Sequence, residues 1–401
     1  MTEEVIGIFS LGWQERTLDE LCSLRRELVE PSSVGANRYV GLEHIDPGTP
    51  QIRRWGNDSD IRSTKNRFYA GDILYGKLRP YLDKAALADW NGICSTDILT
   101  LAPRSNVAYP KYLSFLLHTS AFLAHAIATT SGVNHPRTSW ADIARFPYPV
   151  PPFLEQRAIA AVLSKIQTAV EIQDKIVATL KELKAATMAK LFREGPRGEP
   201  LKQTEIGEIP DTWELAQVGD LLKLSSGTTR PDDLSTTRTE ATPFPVYGGN
   251  GVMGYSSEYL TERESIVIGR VGVYCGSVHV CPEHSWVTDN ALYNRDPVSE
   301  QVSLHFLAEL LAHIKLNRLH RKGAQPLITQ GTVHNVMIVL PPKPKQEAIA
   351  HTAGLLDTAI SAAEQKLATL KASFSSMLHL LMTGQVRVNH LSLPEVEKHA
   401  S

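Results

Sequence analysis

Gly71-Asp72-Ile73-Leu74-Tyr75-Gly76-Lys77 fits the G-x-x-x-x-G-K pattern of a phosphate-cradling loop, in which backbone N–H groups wrap the anion and the lysine pairs with its charge. The next position should be Ser or Thr to hold Mg²⁺, and here it is Leu78. Arg79-Pro80 then follows where the phosphate-binding helix would have to continue, so the match is fortuitous. Cys275, His279, Cys281 and His284 lie close in sequence, but C-x5-C with these histidines matches no zinc spacing and reads as ordinary packing. Glu395-Val396-Glu397-Lys398 holds an E-x-K in a polar tail without a partnered aspartate. No Ser-His-Asp or Cys-His arrangement is suggested either, and the chain is expected to do no chemistry alone and to bind no metal or cofactor.

Val150-Pro151-Pro152-Phe153 shares Pro-Pro with the Asn-Pro-Pro-Tyr loop of amino-methyltransferases. It lacks the essential amide, and it recurs as Leu340-Pro341-Pro342-Lys343, so it reads as helix punctuation. The remaining signal is charge. The total is near neutral, 41 Lys plus Arg against 43 Asp plus Glu, yet Arg53 to Lys84 holds eight basic residues and four acids. His313 to Gln330 holds Lys315, Arg318, Arg321 and Lys322 with no acid. The first patch is interleaved with Tyr69, Tyr75 and Tyr81 and the second with His320, Gln325 and Gln330, a composition suited to nucleic acid: Arg and Lys pair with phosphate or guanine edges, Asn and Gln with adenine. On charge and loop position the candidate contacts are Arg53, Arg54, Lys77, Arg79, Tyr81, Lys84 and Arg137 in the first half, and Tyr247, Asn250, Arg270, Arg321, Lys322 and Gln325 in the second. No apolar run is long enough for a membrane span, the N-terminus carries acids where a signal peptide carries Lys or Arg, and the four cysteines form no disulfide framework; a cytoplasmic protein is expected.

The elements that position these patches repeat. Pro151-Pro152-Phe153-Leu154-Glu155-Gln156-Arg157-Ala158-Ile159-Ala160 lies 190 residues before Pro341-Pro342-Lys343-Pro344-Lys345-Gln346-Glu347-Ala348-Ile349-Ala350, and Ala178-Thr179-Leu180-Lys181 recurs as Ala368-Thr369-Leu370-Lys371. After each Pro-Pro pair the chain runs some forty residues as helix. The second copy carries a heptad seam through Ile349, Ala353, Leu356, Ile360, Ala363, Leu367, Leu370, Phe374, Met377 and Leu381. The first has Ile159, Leu163, Ile166, Val170, Gln173, Val177, Leu180, Lys184, Thr187 and Leu191, with a second apolar line through Ile172, Ile176 and Leu183. A helix from Glu155 to Arg193 is about 57 Å long. Each rod exposes a seam it cannot bury by itself, so the two are expected to pair with each other, antiparallel or parallel, rather than only with other chains.

Looser correspondences fill the rest: Trp13 to Leu21 with Trp213 to Leu221, Gly76-Lys77 with Gly269-Arg270, Ser95-Thr96-Asp97 with Val287-Thr288-Asp289. Strand-like runs (39–42, 73–76 and 98–101; 244–247, 265–268 and 271–274) and helices near 112–126 and 304–319 give an α+β class. The expected organisation is a tandem duplication with pseudo-two-fold character: globular domain 1–150, spacer helix 151–195, linker 196–212, globular domain 213–340, spacer helix 341–385, polar tail 386–401.

Two globular parts, each opening with Trp13 or Trp213 and closing with Pro-Pro-x-x-x-Gln and a heptad rod, resemble the specificity subunits of type I restriction-modification systems over residues 10 to 385. Gly76-Lys77-Leu78-Arg79-Pro80-Tyr81, Tyr247-Gly248-Gly249-Asn250-Gly251, Thr288-Asp289-Asn290-Ala291 and Gly323-Ala324-Gln325-Pro326 are of a type common in that family's target-recognition domains. The resemblance implies a non-catalytic subunit that reads the two halves of a bipartite double-stranded DNA target, with an antiparallel pair of rods setting the unread gap. It also implies two methyltransferase subunits that carry S-adenosylmethionine, restriction and translocase subunits that use ATP and Mg²⁺, and one copy of this chain per complex. Two other readings fit the same residues: a coiled-coil scaffold with ligand-binding ends, and a stand-alone DNA-binding regulator.

Overall fold

The computed structural model describes residues 12–30, 38–196, 198–205, 207–319 and 326–388. Contacts divide the chain into two compact units, Met1–Gln173 with Lys366–Ser401, and Asp174–Gln365, so each unit takes part of both rods.

In the first unit Gln14–Thr17 pairs antiparallel with Pro147–Val150, closing the globular part into a loop whose two ends meet. Between them lie two four-stranded sheets. One runs, in spatial order, Cys22–Leu24, Ile98–Pro103, Ile73–Gly76, Ala85–Leu87; the other Leu28–Val29, Lys65–Phe68, Gly92–Cys94, Tyr39–Val40. Ile73–Gly76 is buried at every position, as an inner strand covered on both faces must be. Its continuation is not a helix, and Asp72 accepts from Arg25 at 2.8 and 2.9 Å, so the G-x-x-x-x-G-K stretch makes no phosphate loop. The helix expected over 112–126 is two, Pro110–Leu116 and Ser120–Ala128; Thr119 leaves the helical backbone region and its hydroxyl caps the second by accepting from the Phe122 N–H.

The second unit repeats this order. Glu214–Gln217 pairs with Met337–Leu340. A four-stranded sheet runs Leu224–Ser226, Ala291–Asn294, Ser265–Gly269, Val278–Cys281, and a smaller one runs Gly251–Ser256, Phe244–Gly248, Trp286–Val287. Gly76 faces Ile98 and Gly269 faces Ala291, which fixes the structural offset at 193 residues and aligns Ser95-Thr96-Asp97 with Thr288-Asp289-Asn290, one position on from the sequence alignment. Gly272–Tyr274, expected as strand, is a 3-10 turn, because Gly272 takes the left-handed φ of +73° and breaks the extended run. The helix expected over 304–319 ends at His313, and a 3-10 turn covers Leu316–Leu319. The stretch expected as linker holds an antiparallel hairpin, Leu201–Thr204 with Gly207–Pro210; Gly207 at φ +112° allows the tight return.

The rods run Phe153–Glu194 and Lys343–Met382. In the first unit the beginning of rod one (Ala158, Ile159, Leu163) shares one apolar core with the end of rod two (Phe374, Met377, Leu381, Met382). In the second unit the end of rod one (Met188, Phe192) shares its core with the beginning of rod two (Ile349, Ala353). Lys181 pairs with Glu364 and Lys184 with Asp357 in that unit. The beginning of each rod thus meets the end of the other, and the pair is antiparallel.

The predicted seam of rod two matches the burial: Ile349, Ala353, Ala363 and Leu381 are buried, and Leu356, Ile360, Leu367, Leu370 and Phe374 half-buried. In rod one Ile159, Leu163 and Val177 are buried and Ile166, Val170 and Leu180 half-buried. Near its end, however, the buried line passes through Met188 and Phe192 instead of Thr187 and Leu191. A helix with 3.6 residues per turn drifts off a 3.5-residue repeat, and the packed face has moved by one position. Ile172, Ile176 and Leu183 stay exposed.

Candidate nucleic-acid interface

Each Pro-Pro pair is followed by a buried glutamine that ties the start of a rod to its globular part. The Gln156 side chain donates to the Pro151 and Val107 carbonyls, both at 3.0 Å, and accepts from the Tyr109 N–H at 2.8 Å. Gln346 does the same with Pro341 (2.8 Å), Gln301 (2.9 Å) and the Ser303 N–H (2.7 Å). Six hydrogen bonds are therefore made by two residues 190 positions apart, and they hold each sheet in a defined orientation on its rod.

At the end of Ile73–Gly76 the chain turns outward. The Lys77 N–H donates to the Asp97 carbonyl (3.0 Å) and the Thr138 N–H to the Lys77 carbonyl (3.0 Å). Arg79 sits in the left-handed region at φ +51° and donates its N–H to Pro136 (2.7 Å). A 3-10 turn, Pro80–Leu82, follows, with Asp83 again left-handed at φ +49°. Two non-glycine residues in this region, one on either side of a turn, are uncommon and hold its shape narrowly. The turn presents Tyr81 at 53% exposure. His118 braces it from below, its Nδ1 2.8 Å from an Asp83 carboxylate oxygen and its Nε2 3.0 Å from the Ala85 carbonyl. Arg137, on the adjoining segment, bridges to Leu78 and reaches Asp97 at 3.2 Å. Lys77, Arg79, Tyr81 and Arg137 therefore gather at one loop cluster.

The other first-half candidates are committed elsewhere. Arg53 pairs with Glu171 of the first rod at 2.7 Å, Arg54 with Asp46, and the Lys84 ammonium donates to the Leu42 carbonyl.

The second unit builds the same cluster from different residues. The Arg270 N–H donates to the Asn290 carbonyl (3.0 Å), and Val271 bridges to Leu327 as Leu78 does to Arg137. The 3-10 turn Gly272–Tyr274 presents Val273 and Tyr274, the latter at 52% exposure. Asn250 is exposed in the hairpin turn preceding Gly251, and the adjacent Gly249 carbonyl accepts from Ser277. The Arg270 guanidinium donates to the Ser226 hydroxyl at 3.1 Å. Tyr247 is half-buried, and burial raises its phenol above the ordinary range. Arg321, Lys322 and Gln325 lie outside the described residues.

Tyr274 was missed by the sequence reading because the run Val271–Tyr274 looks like strand. Trp55 was missed too: Arg38 is sandwiched between its ring (4.4 Å to the centroid) and that of Trp90 (5.0 Å), and Trp55 stays partly exposed. Cys275 donates to the Arg270 carbonyl, Cys281 is buried in the sheet, and His284 meets Tyr259 edge to face. Among the described residues no three His, Cys, Asp or Glu gather as metal ligands, and no helix is long and apolar enough to cross a membrane.

A family model described as the type I restriction modification DNA specificity domain matches the chain twice, over residues 11–182 and 210–372. The chain belongs to this family. As a DNA specificity subunit it belongs to a family whose members select the DNA sequence and carry out no catalysis, and which bind no cofactor of their own. A Methanocaldococcus jannaschii protein ascribed to the MjaX type I restriction enzyme as its specificity subunit is 26% identical, covering 96% of each chain. The MjaVIII specificity subunit of the same organism is 23% identical over 84% of this chain and 81% of its own. The S subunit of a type I restriction-modification system from M. genitalium shares the fold, with a TM-score of 0.65 at 18% identity, covering 92% of this chain and 96% of that one. The two target-recognition parts of this specificity subunit, one in each unit, and its antiparallel coiled coil are the architecture the resemblance implied.

Proposed function

We propose that the chain reads a bipartite double-stranded DNA target, one half-site per loop cluster, with residues 1–150 and 213–340 as the two readers. The rods, 151–195 and 341–385, set the number of unread base pairs between the half-sites. The observation that carries this is the duplicated cluster: Lys77-Leu78-Arg79 and Arg270-Val271-Gly272 leave equivalent strands and open equivalent 3-10 turns, each tipped by an exposed tyrosine. Lys77, Arg79, Tyr81 and Arg137 in one reader, with Tyr247, Asn250, Arg270, Arg321, Lys322 and Gln325 in the other, contact phosphates and base edges. Lys84, bonded to a neutral carbonyl, adds positive charge beside the first cluster, whereas Arg53 and Arg54, paired with Glu171 and Asp46, contribute less. One copy acts in the cytoplasm with two methyltransferase subunits, which bring S-adenosylmethionine, and with restriction subunits, which bring ATP and Mg²⁺. Linking two weak readers on one scaffold converts them into a single strong one through effective concentration, provided the spacing matches.

The test is co-expression with its methyltransferase partner, followed by footprinting of the complex. Protection of two short blocks separated by a constant unprotected gap is expected. A single uninterrupted footprint, or none, would overturn the reading.

A further inference from the structure

Glu155 and Lys345 occupy the same place in the two rods, 190 residues apart, and carry opposite charges. Each anchors a clamp on the segment that follows the end of the other rod. In the first unit the segment after rod two turns at Gly384, whose left-handed backbone (φ +75°) lies against the ring of Trp13. Arg387 from that segment donates to both carboxylate oxygens of Glu155, at 2.6 and 2.7 Å, and the Trp13 Nε1–H donates to the same group at 3.1 Å. The pair is enclosed, with side-chain exposures of 15% for Arg387 and 4% for Glu155.

In the second unit the segment after rod one turns at Gly195 (φ +72°), which lies against the ring of Trp213. Glu199 from that segment accepts from Lys345, and Thr212 donates to Glu199 at 2.8 Å while accepting from Lys345 at 2.9 Å. Glycine, tryptophan and ion pair recur, but the charges are exchanged. The rod start is acidic and the incoming segment basic in one clamp; the reverse holds in the other.

We propose that this exchange of charge is a pairing code, which lets rod one close only with rod two and rejects a second copy of the same rod from another chain. Two copies of rod one, paired antiparallel, would bring Glu155 of each against Glu199 of the other: two carboxylates in each enclosed clamp. Two copies of rod two would bring Lys345 against Arg387. Like charges removed from water are opposed with nothing to neutralise them, whereas burial of apolar seam residues is non-directional and favours any pairing of the rods. The heptad seams supply the attraction and the clamps supply the discrimination. The proposal does not depend on what the globular parts bind.

The full chain with the Lys345→Glu and Glu199→Arg substitutions together keeps an ion pair in each clamp but gives both the same polarity. A nitroxide at Lys175→Cys, an exposed position near the midpoint that two antiparallel copies of rod one would share, reports such pairs between chains. The four native cysteines are buried and leave the label site unique. Refolded from denaturant at high protein concentration, the matched variant is expected to show several-fold more close label pairs by pulsed dipolar spectroscopy than the parent. Adding Glu155→Lys and Arg387→Glu, so that the clamps are opposite again with every charge exchanged, is expected to return the signal to the parent level. Glu155→Lys with Arg387→Glu alone matches the clamps in the other sense and serves if the first variant does not fold. A matched variant with no more close pairs than the parent, or a fully exchanged variant that stays as high as the matched one, overturns the proposal.

Discussion

Lys77 and Arg79 leave the inner strand at the tip of a loop whose shape is fixed by left-handed Arg79 and Asp83, and among the described residues neither charge is held in an ion pair. Their reversal to glutamate should therefore weaken DNA binding and flatten its salt dependence by about one unit of log-log slope per lost phosphate contact, measured by fluorescence anisotropy across a salt series. Arg54→Ala, which removes a side chain already paired with Asp46, should move that slope much less. Charge counting in the sequence finds all these residues equally. It does not distinguish them, because Arg53 is paired with Glu171 more than a hundred residues away and Lys84 with a backbone carbonyl. At the same scale Gln346→Ala leaves a buried N–H and two carbonyls without partners, and should cost about 3 kcal/mol in a denaturant melt. That the Pro-Pro-x-x-x-Gln pattern repeats is plain in the sequence; that the glutamine stitches rod to globular part is not, since two of its three partners come from loops outside the repeat.

The rods were legible because two prolines mark each beginning and because apolar residues recur in steps of three and four. The end of rod one was not: Thr187 and Leu191 continue the repeat arithmetically, but a real helix rotates its packed face onto Met188 and Phe192. Phe192→Ala should accordingly destabilise the second unit by about 3 to 4 kcal/mol, while Leu183→Ala, on the exposed line, should change a melt by less than about 0.5 kcal/mol. The 3-10 turn Gly272–Tyr274 escaped because a Gly-x-Tyr run of β-forming residues gives a strand signal, and the left-handed glycine that cancels it is visible only in the backbone. If the rods act as the spacer, inserting four residues in both, near Val177 and near Leu367, should change the gap between half-sites read by methylation mapping of the assembled complex. An unchanged gap would remove the rods from that role.

Across the whole molecule the duplicated parts share a topology but have diverged in what they bury, and acid should expose this. In the second unit burial lowers the imidazoles of His279, His313 and His334 below the ordinary value of 6.5, and neighbouring Lys315 and Lys223 push the last two further in the same direction. A histidine with a depressed value in the fold stays neutral there while the unfolded chain takes up a proton at about 6.5. Its contribution to stability is thus complete above that pH and is lost as the pH falls from 6.5 toward the lowered folded value. His313 lies against Phe192 at the end of rod one, ring centroids 5.0 Å apart, so its protonation acts on the packing that joins that rod to the helix Leu304–His313. Thermal melts between pH 7.5 and pH 5.5 should show the midpoint falling with pH, and His313→Phe, which cannot protonate and preserves the ring contact, should reduce the slope. A slope equal in the parent and this variant would mean that His313 does not carry the acid sensitivity.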